Sequence, residues 1–433
     1  DETVASNGKS HSGTLYVPEL LNFIRRDSLV VDNAVTDFAP GGYVEITHDL
    51  TIRGASSGTA GFVIPQGHFH VGGNLIIEKG HITVTGDAAK PRTDLFRVDG
   101  KAILDGALIT VECSDEDRDQ VVAFGGEVVM TNATTITLKS PCDEVEGEPG
   151  LVFTAPKLEM YKDCWIYPWS HNTNGASCLF QIAEISCVTN SGFNADAKGY
   201  GRATGASGPD YGPRTTALNG CGSESNGGNA NSTVAPGHGG DGGSAKPVDA
   251  KNPRGVGVAF ESKRHPIFAG PGGAGGYQSN VPPRGGGVIR IETTDFDLGG
   301  GTLTANGGGD ISFRTGGAGG SIYVTATRFL GGNGVLSARG GAGGYYGFAQ
   351  QIGNHKNYTM QGGGGGRIAV YFRNEYDEAT NVTASVQGGA CPLEIEKCKK
   401  DYDEDLTELK AARTGKDGTV FWGGFRGLRV LVR

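Results

Sequence analysis

The chain has 433 residues, of which 75 are glycine, and its formal net charge at neutral pH is −9. This glycine content is more than twice the usual value of about 7%, and it excludes a mainly helical protein because glycine has a low helix propensity. Collagen is excluded because glycine does not recur at every third position, and nucleic-acid binding because the chain has no basic stripe. No apolar stretch reaches the roughly 18 residues of a membrane helix.

The sequence begins at Asp1, without a Met, a basic segment or the apolar segment of a secretion signal. We therefore expect a mature secreted protein, extracellular or at the cell surface, from which a signal peptide has been removed. Residues 1–40 are expected to form an N-terminal lead-in or cap.

Residues 41–198 carry a repeat of about 27 residues. Each unit contains three short apolar runs separated by Gly, Asn or Asp, a pattern typical of strands joined by turns. The clearest run recurs at Ile82–Val84, Ile109–Val111 and Ile136–Leu138. Three strands in each repeat predict a right-handed parallel β-helix, the handedness being inferred from chain chirality.

Phenylalanines recur at a second position of this repeat. They are Phe69, Phe96, Phe124, Phe153 and Phe180, and Phe124 comes one residue later than the period requires. Equivalent residues of successive rungs stack at the strand spacing of about 4.8 Å. We therefore expect an internal ladder of phenylalanine rings.

Glycine is concentrated in the second part of the chain, where 56 of the 75 glycines follow residue 190. A second repeat consists of a strand, a turn, a strand and a glycine-rich excursion. The sequence predicts a long glycine-rich loop region over 199–286 and a glycine-rich continuation of the β-helix over 287–433, with a charged insertion at 392–416. Because glycine lacks a Cβ atom, we expect the excursions to pack as extended chains whose peptide groups bond to one another.

Several glycine-rich motifs occur together in this part of the chain. They are GHGG at 237–240, GGGxIRI at 285–291, GGSIYV at 319–324, GGGGGRIAV at 362–370 and the repeated GxLxAxGG. In combination they resemble the glycine-rich secreted surface proteins of the GGxGGxIxV and GxLxAxGG repeat type. The resemblance covers about residues 180–424 and is interrupted by the charged insertion. It implies a secreted β-solenoid and supplies no catalytic residue.

Eight cysteines, an even number without a CxxC pair, favour disulfides in an oxidising compartment over a zinc site. They are Cys113, Cys142, Cys164, Cys178, Cys187, Cys221, Cys391 and Cys398. Four Asn-x-Ser/Thr sequons are candidate N-glycosylation sites. They are Asn132, Asn231, Asn357 and Asn381.

The residues predict no catalytic, cofactor or metal site. There is no P-loop, and four carboxylates in strand-like runs, Glu45, Asp105, Glu127 and Glu159, do not align in the repeat as a glycosidase pair would. His68 and His70 share a strand face and His81 follows, but no third ligand is placed by spacing, so surface histidines are expected. Weak Ca²⁺ binding by the acidic runs 115–119 and 401–405 is the one cofactor considered. Trp165 and Trp169 suggest a sugar platform, although the surrounding residues favour a packed strand.

We expect a non-catalytic structural protein, a subunit of a surface fibre, flagellar hair, sheath or cell-wall assembly. Leu428, Val430 and Val432 predict a strand that assembles with a neighbour, since an open rung exposes a sheet edge. The expected partners are further copies, other surface or wall proteins and glycans, but neither nucleic acid nor a membrane. The alternative is a carbohydrate-active or carbohydrate-binding β-helix of the polysaccharide lyase or hydrolase type. An ice-binding or adhesive array of aligned threonines, Thr83, Thr110 and Thr137, is a third reading.

Overall fold

The computed structural model shows a parallel β-helix with almost no helix. The structure describes residues 3–5, 13–14, 23–38, 40–86, 94–114, 120–141, 149–172, 174–201, 235–244, 257–273, 283–309, 314–344, 361–392 and 406–424.

The first part of the β-helix has three short strands in each rung, one on each of three faces. The strands are β1 (Thr3–Ala5), β2 (Gly13–Thr14), β3 (Phe23–Arg26), β4 (Leu29–Asp32), β5 (Ala34–Asp37), β6 (Tyr43–Ile46), β7 (Leu50–Arg53), β8 (Gly61–Ile64), β9 (His68–Val71), β10 (Leu75–Glu78), β11 (His81–Thr85), β12 (Asp94–Val98), β13 (Ala102–Asp105), β14 (Leu108–Glu112), β15 (Gln120–Phe124), β16 (Val128–Thr131) and β17 (Thr135–Lys139). Face 1 begins with β3, face 2 with β1 and face 3 with β2. Each strand pairs in parallel with its equivalent one rung away. This pairing already includes β1 to β5, within the segment expected to be a lead-in or cap.

From residue 149 onward each rung has one long and one short strand. The elements are β18 (Pro149–Met160), β19 (Trp165–Trp169), β20 (Ser177–Cys187), β21 (Gly192–Asn194), β22 (Val288–Asp297), β23 (Thr302–Thr304), β24 (Ser321–Leu330), β25 (Gly334–Ser337), β26 (Arg367–Phe372), α1 (Tyr376–Thr380), β27 (Val382–Ser385), α2 (Leu406–Arg413) and β28 (Thr419–Gly424). The short strands continue face 3. The long strand β18 pairs with β15 through its first half and with β16 through its second half, so faces 1 and 2 merge.

The merger coincides with the loss of glycine at one corner. In the three rungs that precede it a glycine separates the strands of faces 1 and 2, as Gly72–Gly73 and Gly125–Gly126 do. A Cβ on Gly72 would lie 2.4 Å from the carbonyl oxygen of Thr47 in the rung below, so the tight corner requires glycine. In β18 the corresponding segment is 155–157, which contains no glycine, and the backbone continues as a strand.

The predicted phenylalanine ladder is present in the core. The rings of Phe69 and Phe96 stack with their centroids 4.8 Å apart, and contacts at 5.4–5.7 Å continue through Phe124 and Phe153 to Phe180. A bulge puts Val122 opposite Phe96, and Phe124 pairs with Val98. The late phenylalanine thus joins the ladder from the next inward position of its strand.

Both sequence repeats are confirmed by the strand register. Ile82, Ile109 and Ile136 are register partners, which establishes the 27-residue rung. In the second part Leu303 pairs with Leu336, and Ile322 pairs with Ile368. The excursions between face 3 and the following long strand all leave at one corner, as a solenoid with variable loops requires. Neither described helix has the length and apolar character needed to cross a membrane.

Candidate functional site

The glycine-rich excursions form a second ordered layer beside the β-helix. We call this the glycine layer, and its described residues are 195–201, 235–244, 257–273, 283–287, 305–309, 314–320, 338–344, 361–366, 386–392 and 414–418. Apart from an isolated bridge residue, Arg314, these residues belong to neither helices nor strands, yet their peptide groups bond across segments that are distant in sequence. The predicted packing of glycine-rich chains against one another is therefore observed.

One series of backbone hydrogen bonds crosses the whole layer. It runs from Gly415 to the carbonyl of Gly389, then from Gly389 to Gly363, from Gly363 to Gly341 and from Gly341 to Gly317, with N···O distances of 2.8–3.0 Å. The series continues from Gly317 through Gly308 to Arg284 at 2.8–2.9 Å. Seven separate segments are thereby joined without any side chain.

The layer has no room for a side chain at these positions. A Cβ on Gly363 would lie 2.1 Å from the carbonyl oxygen of Gly317, and one on Gly389 would lie 1.8 Å from that of Gly341. Contacts this short do not occur between real atoms, so the backbones approach to a distance that only glycine permits. The excess glycine of the sequence is thus a packing requirement of this layer.

A buried polar cluster fastens the layer to the β-helix. We call it the polar lock, and it consists of His238, Glu261 and Arg367. His238 Nδ1 donates to the carbonyl oxygen of Gly319 at 2.7 Å, and its Nε2 lies 2.9 Å from Glu261 Oε2. Because the carbonyl oxygen is only an acceptor, His238 Nδ1 carries a hydrogen. The His238 and Glu261 side chains are 0% and 3% exposed, so this pair is shielded from water.

Glu261 and Arg367 extend the lock to further segments. Glu261 Oε1 accepts backbone N–H groups of Ile267 and, at 2.8 Å, of Phe268. Arg367 is the first residue of β26. Its Nε and Nη2 atoms donate to the carbonyl oxygen of Phe260 at 3.0 Å and 2.6 Å. Burial lowers the pKa of Arg367. Glu261 itself has a φ of +72°, which is strained for a residue with a side chain, and its hydrogen bonds hold it there.

The sequence marked two members of this lock without revealing their role. His238 lies in the GHGG motif and Arg367 in GGGGGRIAV, where each is the polar exception among glycine and apolar residues. A buried polar residue needs partners, so such exceptions were a usable signal. The partner Glu261 lies outside both motifs.

His68 and His70 lie on the same outer face of β9, as expected, whereas His81 lies on β11 of face 3. His70 Nε2 lies 3.1 Å from Asp99, and the ring of His68 stacks on Tyr43 at 4.9 Å. Burial lowers the pKa of His81, whose Nδ1 has no hydrogen-bond partner. Within the described ranges, no three His, Cys, Asp or Glu side chains converge as a metal site would need. The acidic runs 115–119 and 401–405 lie outside the described residues.

The prediction of disulfides is wrong for the cysteines that the structure describes. Cys113, Cys164, Cys178, Cys187 and Cys391 are buried, and no disulfide joins any of them. They occupy core positions as small apolar residues, and the Sγ of Cys187 contacts the Sδ of Met160 at 3.9 Å. Burial raises the pKa of Cys187 to about 12. Cys142, Cys221 and Cys398 lie outside the described residues.

Two of the four sequons are described, and both asparagines are exposed. Asn132 follows β16, donates to Asp105 and lines a groove of about 580 Å³ on face 2 with Ile103, Tyr161 and Val188. Asn381 directly follows α1. Asn231 and Asn357 lie outside the described residues, as do Leu428, Val430 and Val432 of the predicted assembly strand.

Two of the four strand carboxylates, Glu127 and Glu159, are paired with lysines. Lys157 lies 3.1 Å from Glu127 and 2.5 Å from Glu159, and Lys101 lies 3.3 Å from Glu127. These hydrogen bonds, with that from Lys157 the strongest, lower the pKa of Glu127. Glycoside hydrolysis needs one protonated carboxylic acid, whereas the lysines beside Glu127 favour its ionised form.

The expected packed strand around Trp165 is present as β19, which pairs on both sides, and its aromatic side chains lie on its outer side. In β19, Ile166 and Pro168 are buried, whereas Trp165, Tyr167 and Trp169 alternate with them on the outer side and are half-buried. Lys198 Nζ lies 5.0 Å from the Tyr167 ring centre and 5.3 Å from that of Trp169. Arg284 Cζ lies 5.0 Å from the Trp169 ring centre. We call these five residues the aromatic shelf.

The row of threonines is also present on face 3. Thr83, Thr110 and Thr137 are register partners, and the row is bounded by Val63 and Tyr167. It is therefore an array of three residues.

The fold and these sites define a parallel β-helix with a glycine layer attached along one corner. Comparisons of the chain with protein-family models, with curated proteins and with solved structures gave no match.

Proposed function

We propose that the chain is a non-catalytic, extracellular structural protein and serves as a subunit of a surface fibre, flagellar hair, sheath or cell-wall assembly. The observation that carries the proposal is the exposed apolar row at the last described rung of the hydrophobic core. Resemblance of the glycine-rich motifs to secreted surface proteins supports the extracellular location. The buried thiols give no support to an oxidising compartment, so the location rests on that resemblance.

The last described rung exposes row positions that the rungs directly before it bury. Ile289, Ile322 and Ile368 are stacked register partners and are all 0% exposed, whereas the next partner in this row, Val420, is 37% exposed. On face 3 the buried Leu336 pairs with Ala384, which is exposed. Among the described strands, β28 and β27 pair on one side only. A further rung from a second copy or another surface protein would cover this apolar end and pair its backbone edge.

The glycine layer supports a mechanical role. Glycine loses more backbone freedom on folding than any other residue, so ordering this many glycines opposes folding strongly. The interlocked hydrogen bonds offset that cost and join the excursions to one another and to the β-helix. The resulting body resists bending at the corner where a simple solenoid would carry mobile loops.

Electron microscopy of the purified protein and of native material tests the proposal. End-to-end stacking of eleven rungs at about 4.8 Å predicts filaments with an axial repeat of about 53 Å. Val420→Lys places a charge on the open core row and should abolish the filaments. Leu108→Lys is the matched control, because Leu108 is also 37% exposed but lies on an outer face. Monomers at high protein concentration, or filaments unaffected by Val420→Lys, would contradict the proposal.

A further inference from the structure

The aromatic shelf presents three rings in a row on the outer surface of face 3. Alternate residues of a strand are about 6.6 Å apart, so Trp165 and Trp169 are separated by about 13 Å along β19. The neighbouring strand offers little cover to the first ring, because Gly192 is the register partner of Trp165 and has no side chain. Flat apolar rings at this exposure are suited to the apolar face of a sugar ring.

Two cations at one end of the shelf make no ion pair with any carboxylate of the described residues. Lys198 Nζ lies 3.4 Å from the amide oxygen of Asn194 and 3.1 Å from the carbonyl of Asp196, and Arg284 Nη2 donates to the carbonyl of Gly199 at 2.7 Å. Arg284 Nε is buried and makes no hydrogen bond. No ion pair of either cation occurs within the part of the chain that the structure describes. Lys198 and Arg284 differ in this respect from lysines within the strands. Lys139, for example, is paired with Glu112 on the same face.

The local charge of the shelf is positive although the protein is acidic overall. The carboxylate facing Lys198 is Asp196, and its Oδ1 already accepts the backbone N–H of Asn306 at 2.7 Å. Burial lowers the pKa of Arg284 to about 10, and burial, followed by repulsion from Arg284, lowers the pKa of Lys198. Arg284 remains charged at neutral pH, and an anion bound beside Lys198 and Arg284 would relieve the repulsion between them.

We propose that the aromatic shelf binds an acidic saccharide, with a sugar ring stacked on Trp165 and Tyr167 and its carboxylate or sulfate held by Lys198 and Arg284. Arginine and lysine bind such anions through charge-assisted hydrogen bonds. The rings supply contact area, and the cations select the acidic sugar over a neutral one. This proposal is independent of the assembly at the open rung, because it involves a different face of the molecule.

Tryptophan fluorescence during titration tests the proposal with three probes: a short oligogalacturonate, a chondroitin sulfate oligosaccharide and a neutral galactan oligosaccharide. We expect binding of at least one acidic probe, weaker at higher salt, and no binding of the neutral one. The two acidic probes distinguish a carboxylate from a sulfate ligand. Binding of neither acidic probe, or equal binding of the neutral probe, would overturn the proposal.

Variants locate the binding at the shelf. Lys198→Gln should weaken the affinity for the acidic probe about tenfold or more, because the positive charge is lost. Lys198→Arg, which keeps the positive charge, should retain most of the parent protein's affinity. Trp165→Ala should also weaken binding, while Trp165→Phe, which keeps a ring, should retain it. Lys101→Gln is the matched control, since Lys101 is an exposed lysine paired with Glu127 on another face. Both variants must first match the parent protein in thermal unfolding. If neither Lys198→Gln nor Trp165→Ala then changes the affinity for the acidic probe, the binding site lies elsewhere and the proposal is refuted.

Discussion

Gly363→Ala tests the glycine layer at its centre. The new Cβ would lie 2.1 Å from the carbonyl oxygen of Gly317, where ordinary contact begins at 3.4 Å, so one backbone must move by more than 1 Å. Gly363 also donates to Gly341 at 3.0 Å and accepts from Gly389 at 2.8 Å, and this movement would lengthen both hydrogen bonds. Overpacking costs about 1–3 kcal/mol and each weakened hydrogen bond about 1 kcal/mol. The lower entropy of the unfolded alanine chain returns about 0.4–1 kcal/mol, so the expected net loss is about 2–5 kcal/mol.

The assay is the free energy of unfolding in urea, followed by far-ultraviolet circular dichroism and tryptophan fluorescence. Gly424→Ala is the matched control, because a Cβ there would have nothing within 4 Å and the residue does not have a positive φ. We expect its free energy of unfolding to stay within about 0.5 kcal/mol of the parent. Equal stability of the two variants would refute the close backbone packing on which the description of the layer depends.

Three further predictions concern the β-helix itself. Phe153→Ala removes a fully buried ring of the ladder and should lower the free energy of unfolding by about 3–5 kcal/mol. Tyr161→Ala, at an exposed position, should change the free energy of unfolding little. Equal losses of stability in the two variants would contradict a stabilising role of the phenylalanine ladder. Because burial lowers the pKa of His81, the folded state favours the neutral imidazole. The contribution of His81 to the free energy of unfolding should therefore be fully present above about pH 6.5 and should be lost as the pH falls below that value. His81→Gln should flatten the pH dependence of the unfolding midpoint between about pH 7 and 5, and an unchanged slope would exclude His81 as its cause. Cys187 has a pKa of about 12 and is 3% exposed, so in the native protein near pH 8 it should resist alkylation by iodoacetamide. After unfolding in the absence of a reductant it should react. Alkylation of Cys187 in the native protein, or the lack of a reactive thiol at Cys187 after unfolding, would contradict a buried free thiol.

The β-helix could be predicted from the sequence because its periodicities are local and repeated. A strand alternates inward and outward residues, so an apolar run that recurs at 27 residues, such as Ile82, Ile109 and Ile136, fixes both the strand and its register. The phenylalanine ladder followed from the same period. The bulge before Phe96, which shifts the register of Phe124, does not recur in the sequence as the 27-residue period does. One extra residue on a strand changes only the pairing beside it.

The sites could be predicted less well, because they depend on which loops meet. His238 and Glu261 are 23 residues apart in excursions with no alternation to fix their register, and His238 is 129 residues from Arg367. The cysteines were misread because an even count does not distinguish paired from buried thiols. The orientation of Trp165 could have been predicted, since the run at 135–139 one rung earlier already alternates with the same phase.

Hydrogen exchange of the glycine amides tests the central claim, that the excess glycine builds an ordered layer. The amides of Gly286, Gly319, Gly364 and Gly365 donate to carbonyls of other segments at 2.8–2.9 Å. We predict that peptides covering 283–287, 316–320 and 361–366 exchange as slowly as the core strand β22. Exchange of these peptides at the rate of an unstructured glycine-rich chain, while β22 stays protected, would contradict the account.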